Sequence, residues 1–189
     1  MGPKELKEYS QETYENVRYW IENCDTKASS LLAFVGVFLS IVFTSDYILR
    51  GIESCTNAVA MTCKAPDHAF SLFAFLAIGS KVYSIFFFVL SIKELLSVLY
   101  ARLTQDEEQQ TPSLFFYRTI GNMTYEDYSN STKSSDMDAM NEDRLHQIHE
   151  CSQICTLKFE KYNEGLHSFK SAMIAFGLFV VLLITGNAS

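Results

Sequence analysis

Apolar and polar positions along the chain form two periodic seams separated by one uniformly apolar block. From Tyr14 the apolar positions run Tyr14, Val17, Ile21, Cys24, Ala28, Leu31, Val35 and Phe38, in alternating steps of three and four that keep to one face of an α-helix. This seam passes from a polar stretch into an uncharged one, Ala28 to Ser45, so the pattern predicts one continuous helix ending near Asp46. The block from Ala69 to Ile92 is apolar all round except for Lys81, and its helical pattern continues to about Leu103, with Asp67 as the expected N-cap. A second seam follows: Leu145, Ile148, Ser152, Cys155, Phe159, Tyr162, Leu166, Phe169, Met173, Phe176, Val180 and Leu183. It predicts a helix from Met140 to Thr185, charged on its other faces at first and uncharged from Ser171 onward. Residues 104–136 are polar and the least periodic part of the chain.

An uncharged helical run such as Ala28 to Ser45 rises about 27 Å, close to the roughly 30 Å of a hydrocarbon core. The expected fold is therefore an all-α membrane protein with three transmembrane helices, the first and last extended into a cytoplasmic helical bundle. Lys and Arg number four before Ala28 and eight from Lys93 to Lys170, against two between Asp46 and Asp67. That asymmetry puts the N-terminus in the cytoplasm. The resulting map is a cytoplasmic amphipathic helix over 1–27, spans at 28–48, 69–92 and 171–186, an external loop at 49–68, and a cytoplasmic helical and insertion region at 93–170.

Composition narrows the function. A net charge of -7 without Lys/Arg clusters argues against a nucleic acid polymer as partner, and 15 Phe with 10 Tyr exclude a disordered chain. No signal-peptide pattern precedes the first apolar run, which reads as a retained span. Phosphate-loop, nucleophile-elbow and zinc-protease motifs are missing, so the expectation is a non-enzyme without a cofactor. Among five cysteines, Cys55 and Cys63 share the external loop and are the pair a disulfide would use. Asp143, His146, His149 and Glu150 lie three and four apart on one helix. No second helix offers a matching ligand set, so they read as a solvated face rather than a metal site.

Three polar features each have two readings. Lys81, near the middle of an apolar helix, either snorkels to an interface or faces a polar cavity. Asp25, Lys27 and Ser29 either anchor the helix at the membrane surface, with Trp20 in the aromatic belt, or form a latch at the mouth of the bundle. Phe115, Phe116 and Tyr117 beside Arg118 either dock the insertion or offer a nucleobase an aromatic face and its phosphate a guanidinium.

Three stretches, in this order and spacing, carry a resemblance: Asp25-Thr-Lys-Ala-Ser-Ser-Leu-Leu; Ser113-Leu-Phe-Phe-Tyr-Arg-Thr-Ile-Gly with Tyr125-Glu-Asp-Tyr128; and Gln147-Ile through Lys161-Tyr162. Over residues 10–185 the chain resembles the Pycsar membrane effectors. The resemblance implies a multi-pass protein of the bacterial inner membrane that serves antiphage defence. In such systems a pyrimidine cyclase makes cyclic UMP or cyclic CMP, and the effector responds by impairing the membrane, which ends in cell death or growth arrest. Tyr117-Arg118 stands where the family's Phe-Phe-Gly pattern has a glycine turn. On this reading the lipid bilayer, a homo-oligomer and the cyclase are the partners. Phe116 and Tyr117 then serve the base, Arg118, Lys158 and Lys161 the phosphate, and Asp25, Lys27, Ser29 and Lys81 the gate. The alternative is a non-catalytic scaffold or subunit that binds a partner protein through its heptad seams.

Overall fold

The computed structural model describes residues 2–46, 50, 53, 68–100 and 113–186. Its helices with defined bounds are α1 (Pro3–Thr44), α2 (His68–Tyr100), α3 (Tyr117–Asn122), α4 (Tyr125–Ser134) and α5 (Met137–Gly186), and the described residues contain no strand. The fold is all-α, as the periodicity required. At 42 and 50 residues α1 and α5 are long; helices of that size rise about 63 and about 75 Å, roughly twice a hydrocarbon core. α1, α2 and α5 each contain a stretch long and apolar enough to cross a membrane.

Helix starts follow local chemistry. Pro3 opens α1, where a missing N–H breaks no helical bond, and the Gly2 N–H donates to the Glu5 carboxylate at 2.8 Å. The aperiodic insertion contains two helices that apolar spacing did not announce. α4 begins because Thr124 accepts from the Asp127 N–H at 3.1 Å, while the Asp127 carboxylate accepts from the Thr124 hydroxyl at 2.7 Å. Asp136 starts α5 by accepting the Ala139 N–H at 2.7 Å.

The chain divides into two compact units, Met1–Thr26 with Tyr100–Glu160 and Lys27–Leu99 with Lys161–Ser189. The first is the polar unit. Its buried residues are Ser10, Ser113, Asn141, Gln147 and Lys158, with Cys24 as the buried apolar one among the described residues. The second is the apolar unit. Val35, Phe88 and Ala172 pack with Phe38, Leu39 and Phe169, and Ala77, Phe179 and Leu183 pack with Phe176 and Val180. Its outer faces are apolar too: Phe34, Val37, Ile41, Val82, Phe86, Val89, Ile174 and Val181 all stand exposed. Such a continuous apolar exterior fits hydrocarbon, not water.

The predicted seam on α5 is displaced by one residue. Gly165, Ala172 and Phe179, seven apart, are buried, whereas Leu166, Met173 and Val180 stay half-buried. Small side chains explain the shift, because they let helix axes approach closely. A Cβ on Gly165 would lie 2.9 Å from Leu95 Cγ. On α2 the facing residues are serines. The Ser91 hydroxyl donates to the Gly165 carbonyl at 2.9 Å and the Ser84 hydroxyl to the Ala172 carbonyl at 3.0 Å.

Candidate functional site

In the polar unit an ion pair and an aromatic contact are among the ties between α1 and α5. Lys158 Nζ donates to Asp25 Oδ1 at 2.5 Å, and the Trp20 and Phe159 rings meet edge to face at 6.3 Å. The pair is asymmetric. The Lys158 side chain is 6% exposed, whereas that of Asp25 is 37% exposed. An expected gate residue and an expected phosphate cation are thus each other's partner. A lysine closed in this way meets an external anion only after its carboxylate moves.

The aromatic segment is docked by Asp143, which the sequence placed on a solvated face, and by Ser113 and Arg144, which had no expected role. The Leu114 N–H donates to Asp143 Oδ2 at 2.7 Å, and the Phe115 N–H to the buried Ser113 hydroxyl at 3.1 Å. The guanidinium over the Phe115 ring belongs to Arg144, with its carbon 4.9 Å from the ring centroid. Arg144 also donates to Ser10 Oγ at 3.3 Å and to the Lys7 carbonyl at 3.4 Å. Asn141, Arg144 and Gln147 share a helical spacing of three. Polar side chains repeated off the apolar seam were the signal available for this cluster.

Phe116 is half-buried with its ring centroid 5.0 Å from that of Tyr117, and Tyr117 and Arg118 are exposed on α3. Phe116 caps α3 in extended conformation, φ -91 and ψ 120, and no described residue has a positive φ. The helix therefore starts at Tyr117 without the glycine turn expected there.

Lys161 belongs to the apolar unit, beyond its uncharged segments. Its Nζ lies 3.2 Å from Glu94 Oε2 and 2.6 Å from Glu164 Oε2, and Lys93 Nζ lies 3.3 Å from Glu94 Oε1. Burial pushes the Glu94 carboxyl up, but Lys161 and Lys93 outweigh it and hold it below its ordinary value. Hydrogen bonds to Glu164 and then Glu94 hold the Lys161 ammonium above its own. Lys27 and Ser29 are exposed on α1, and Lys81 is half-buried on α2.

Cys24, Cys151 and Cys155 form no disulfide. Burial raises Cys151, helped by Glu150, and raises Cys155 against the pull of Lys158, so both stay protonated near neutral pH. Cys55 and Cys63 lie outside the described residues. No group of metal-ligating side chains occurs among the described residues. A groove of about 480 Å³ between α2 and α5 is lined by Phe75, Gly79, Ser80, Tyr83, Ser171 and Ile174, and no charged residue lines it. It suits an apolar occupant rather than a phosphate.

Three helices apt to cross a bilayer, an apolar exterior around them and a separate polar unit define an all-α membrane protein. Residues 9–186 match the PycTM family, the Pycsar effector protein domain. The chain belongs to this family of transmembrane effectors of antiphage defence, which ties it to cyclic-pyrimidine signalling. It is similar to the Pycsar effector protein GmPycTM of Gulbenkiania mobilis, at 28% identity over 194 residues, covering 96% of this chain and 97% of the relative. No solved structure matches the fold.

Proposed function

We propose that the chain is a ligand-gated membrane effector. A cyclic pyrimidine mononucleotide, cyclic UMP or cyclic CMP, made by a partner pyrimidine cyclase binds the polar unit, and the apolar unit responds by impairing the bacterial inner membrane. The observation that carries this reading is the family match over nearly the whole chain, residues 9–186. In this reading residues 1–27 and 93–170 are cytoplasmic, 28–48, 69–92 and 171–186 cross the bilayer, 49–68 is external, and several copies assemble. Phe116, Tyr117 and Arg118 form one contact surface for a base and phosphate and Lys158 with Lys161 another; Arg144, which docks the aromatic segment, lies about 21 Å from Lys158 along α5, so one nucleotide engages one of the two surfaces. Asp25, Lys27, Ser29 and Lys81 form the gate, and no catalytic group is required. The ligand must favour the active packing over the resting one, and moving a 1:99 balance to 99:1 takes about 5.5 kcal/mol of differential affinity.

Dye leakage from liposomes holding the purified protein tests this, with cyclic UMP, cyclic CMP, cyclic AMP or no nucleotide added. Leakage with one pyrimidine alone is the expected result. Folded protein that leaks with none of them, in either orientation, is a scaffold instead.

A further inference from the structure

We infer that the Asp25 carboxylate is a built-in stand-in for the ligand's phosphodiester at Lys158, so that nucleotide binding is an exchange of one anion for another at a buried cation. This rests on the nucleotide reading above and assigns the phosphate of that ligand one contact and one consequence.

The pair's asymmetry carries the argument. An ammonium as buried as that of Lys158 needs a permanent anionic partner, because leaving a buried charge uncompensated is strongly unfavourable. Its partner is the half-open member, so solvent and ligand reach the lysine from the carboxylate's side. A cyclic mononucleotide brings one negative charge and strong acceptor oxygens, which replace the carboxylate without changing the charge at the lysine. Asp25, already more than one-third exposed, can turn into water at little cost. The buried Asn23 Oδ1, two residues before Asp25, has no hydrogen-bond donor.

The consequence is mechanical. The ion pair ties α1 to α5 in the polar unit, and both helices continue into apolar segments. Exchange replaces a tie between two helices with a contact made by one of them. Binding therefore removes this tie while Arg144 still joins α5 to Ser10 and Lys7 of α1 and Phe159 still meets Trp20, and the lost tie is the differential interaction a switch needs.

The test is dye leakage and equilibrium binding of cyclic UMP and cyclic CMP, with wild type, Asp25→Asn and the charge-swapped Asp25→Lys/Lys158→Asp. Vesicles are phosphatidylcholine alone or with phosphatidylglycerol. The expected result is that Asp25→Asn responds at about tenfold lower nucleotide, or leaks without any, while the swap stays tight and does not respond. The swap keeps a neutral pair and the tie, so its folding, read by circular dichroism, separates lost exchange from a lost fold. Superimposed dose–response curves for wild type and Asp25→Asn would overturn the exchange and leave the nucleotide reading intact. Wild type that binds no pyrimidine, beside an Asp25→Asn protein that leaks only with phosphatidylglycerol, would reassign the anion to lipid and overturn the nucleotide reading with it.

Discussion

The two units solve opposite packing problems. The polar unit buries Ser10, Ser113, Asn141, Gln147 and Lys158, and α4 buries no residue at all. The apolar unit is apolar inside and out. A chain whose exterior faces hydrocarbon gains nothing by hiding Leu or Phe from water, so its helices must associate through shape and hydrogen bonds. Gly165, Ala172, Ser84 and Ser91 supply both. In water the reverse holds, and a unit poor in buried apolar groups depends on satisfying each buried polar one. Helix caps, the Arg144 cluster and the Asp25–Lys158 pair do most of this, and Asn23 Oδ1 is left over. The lesson is that small residues hold the apolar unit together, whereas charged and amide groups hold the polar one.

The sharpest way to break the comparison is at the buried pair. Asp25→Leu alone, which leaves the Lys158 ammonium without its carboxylate, is expected to cost about 3 kcal/mol, the low end for a broken buried pair because Asp25 is partly exposed. The double variant Asp25→Leu/Lys158→Met removes both charges and is expected to recover most of that loss, since apolar replacement of a whole pair is often neutral. Trp20, the sole tryptophan, packs against Phe159 beside the pair, so its fluorescence during unfolding reports this unit. Equal losses in the single and double variants would mean that packing rather than charge holds α1 to α5.

The matching test in the apolar unit is Gly165→Ala. Its added methyl would meet Leu95 Cγ at 2.9 Å and the Leu95 backbone nitrogen at 3.3 Å, and only the side chain can yield. Overpacking of this kind costs about 2 kcal/mol, read from the unfolding midpoint by circular dichroism in detergent micelles. Ser91→Ala comes next, at about 0.6 kcal/mol for one interhelical hydrogen bond within a membrane. A Ser91 effect larger than that of Gly165 would reverse the ranking of shape over hydrogen bonding.

The fold was largely legible because its signals were long. Every seam residue from Tyr14 to Phe38 is buried or half-buried, and the second seam from Leu145 to Leu183 behaves likewise. What periodicity misjudged was depth. It ranked large side chains such as Phe159 and Met173 as the seam, while the closest approach is made by Gly165 and Ala172, which carry little hydropathy. Serines at 80, 84 and 91 on an apolar helix carried the information, in their spacing rather than their polarity. α3 and α4 were missed because neither buries a residue, although Thr124 three residues before Asp127 was readable as the cap of α4. The candidate site was legible as residue types and not as partners. Asp25 and Lys158, 133 positions apart in the chain, were assigned to different roles and meet in one contact. Arg144, which stacks on Phe115, had no local motif to mark it.

The smallest effect concerns the charges beyond the apolar segments. Glu94, Lys161 and Glu164 form the apolar unit's ionic tie between α2 and α5, but Lys161 and Glu164 are 40% and 56% exposed, so their contribution is about 0.5 kcal/mol. Its pH dependence follows from the two shifts. The Glu94 carboxyl is held below its ordinary 4.5, so its contribution is present above that value and is lost as pH falls through the lower folded-state pKa. The Lys161 ammonium is held above its ordinary 10.5, so its contribution is present below that value and is lost as pH rises through the higher folded-state pKa. Wild type should therefore exceed Glu94→Gln by a constant margin between about pH 5 and about pH 9, and the margin should shrink as pH falls below the ordinary 4.5 and vanish below the lowered folded-state value. Unfolding midpoints by circular dichroism across this range decide it. A margin that persists in acid would make Glu94 a packing residue like its neighbour Leu95, and the apolar unit would then contain no electrostatic tie comparable to that of the polar one.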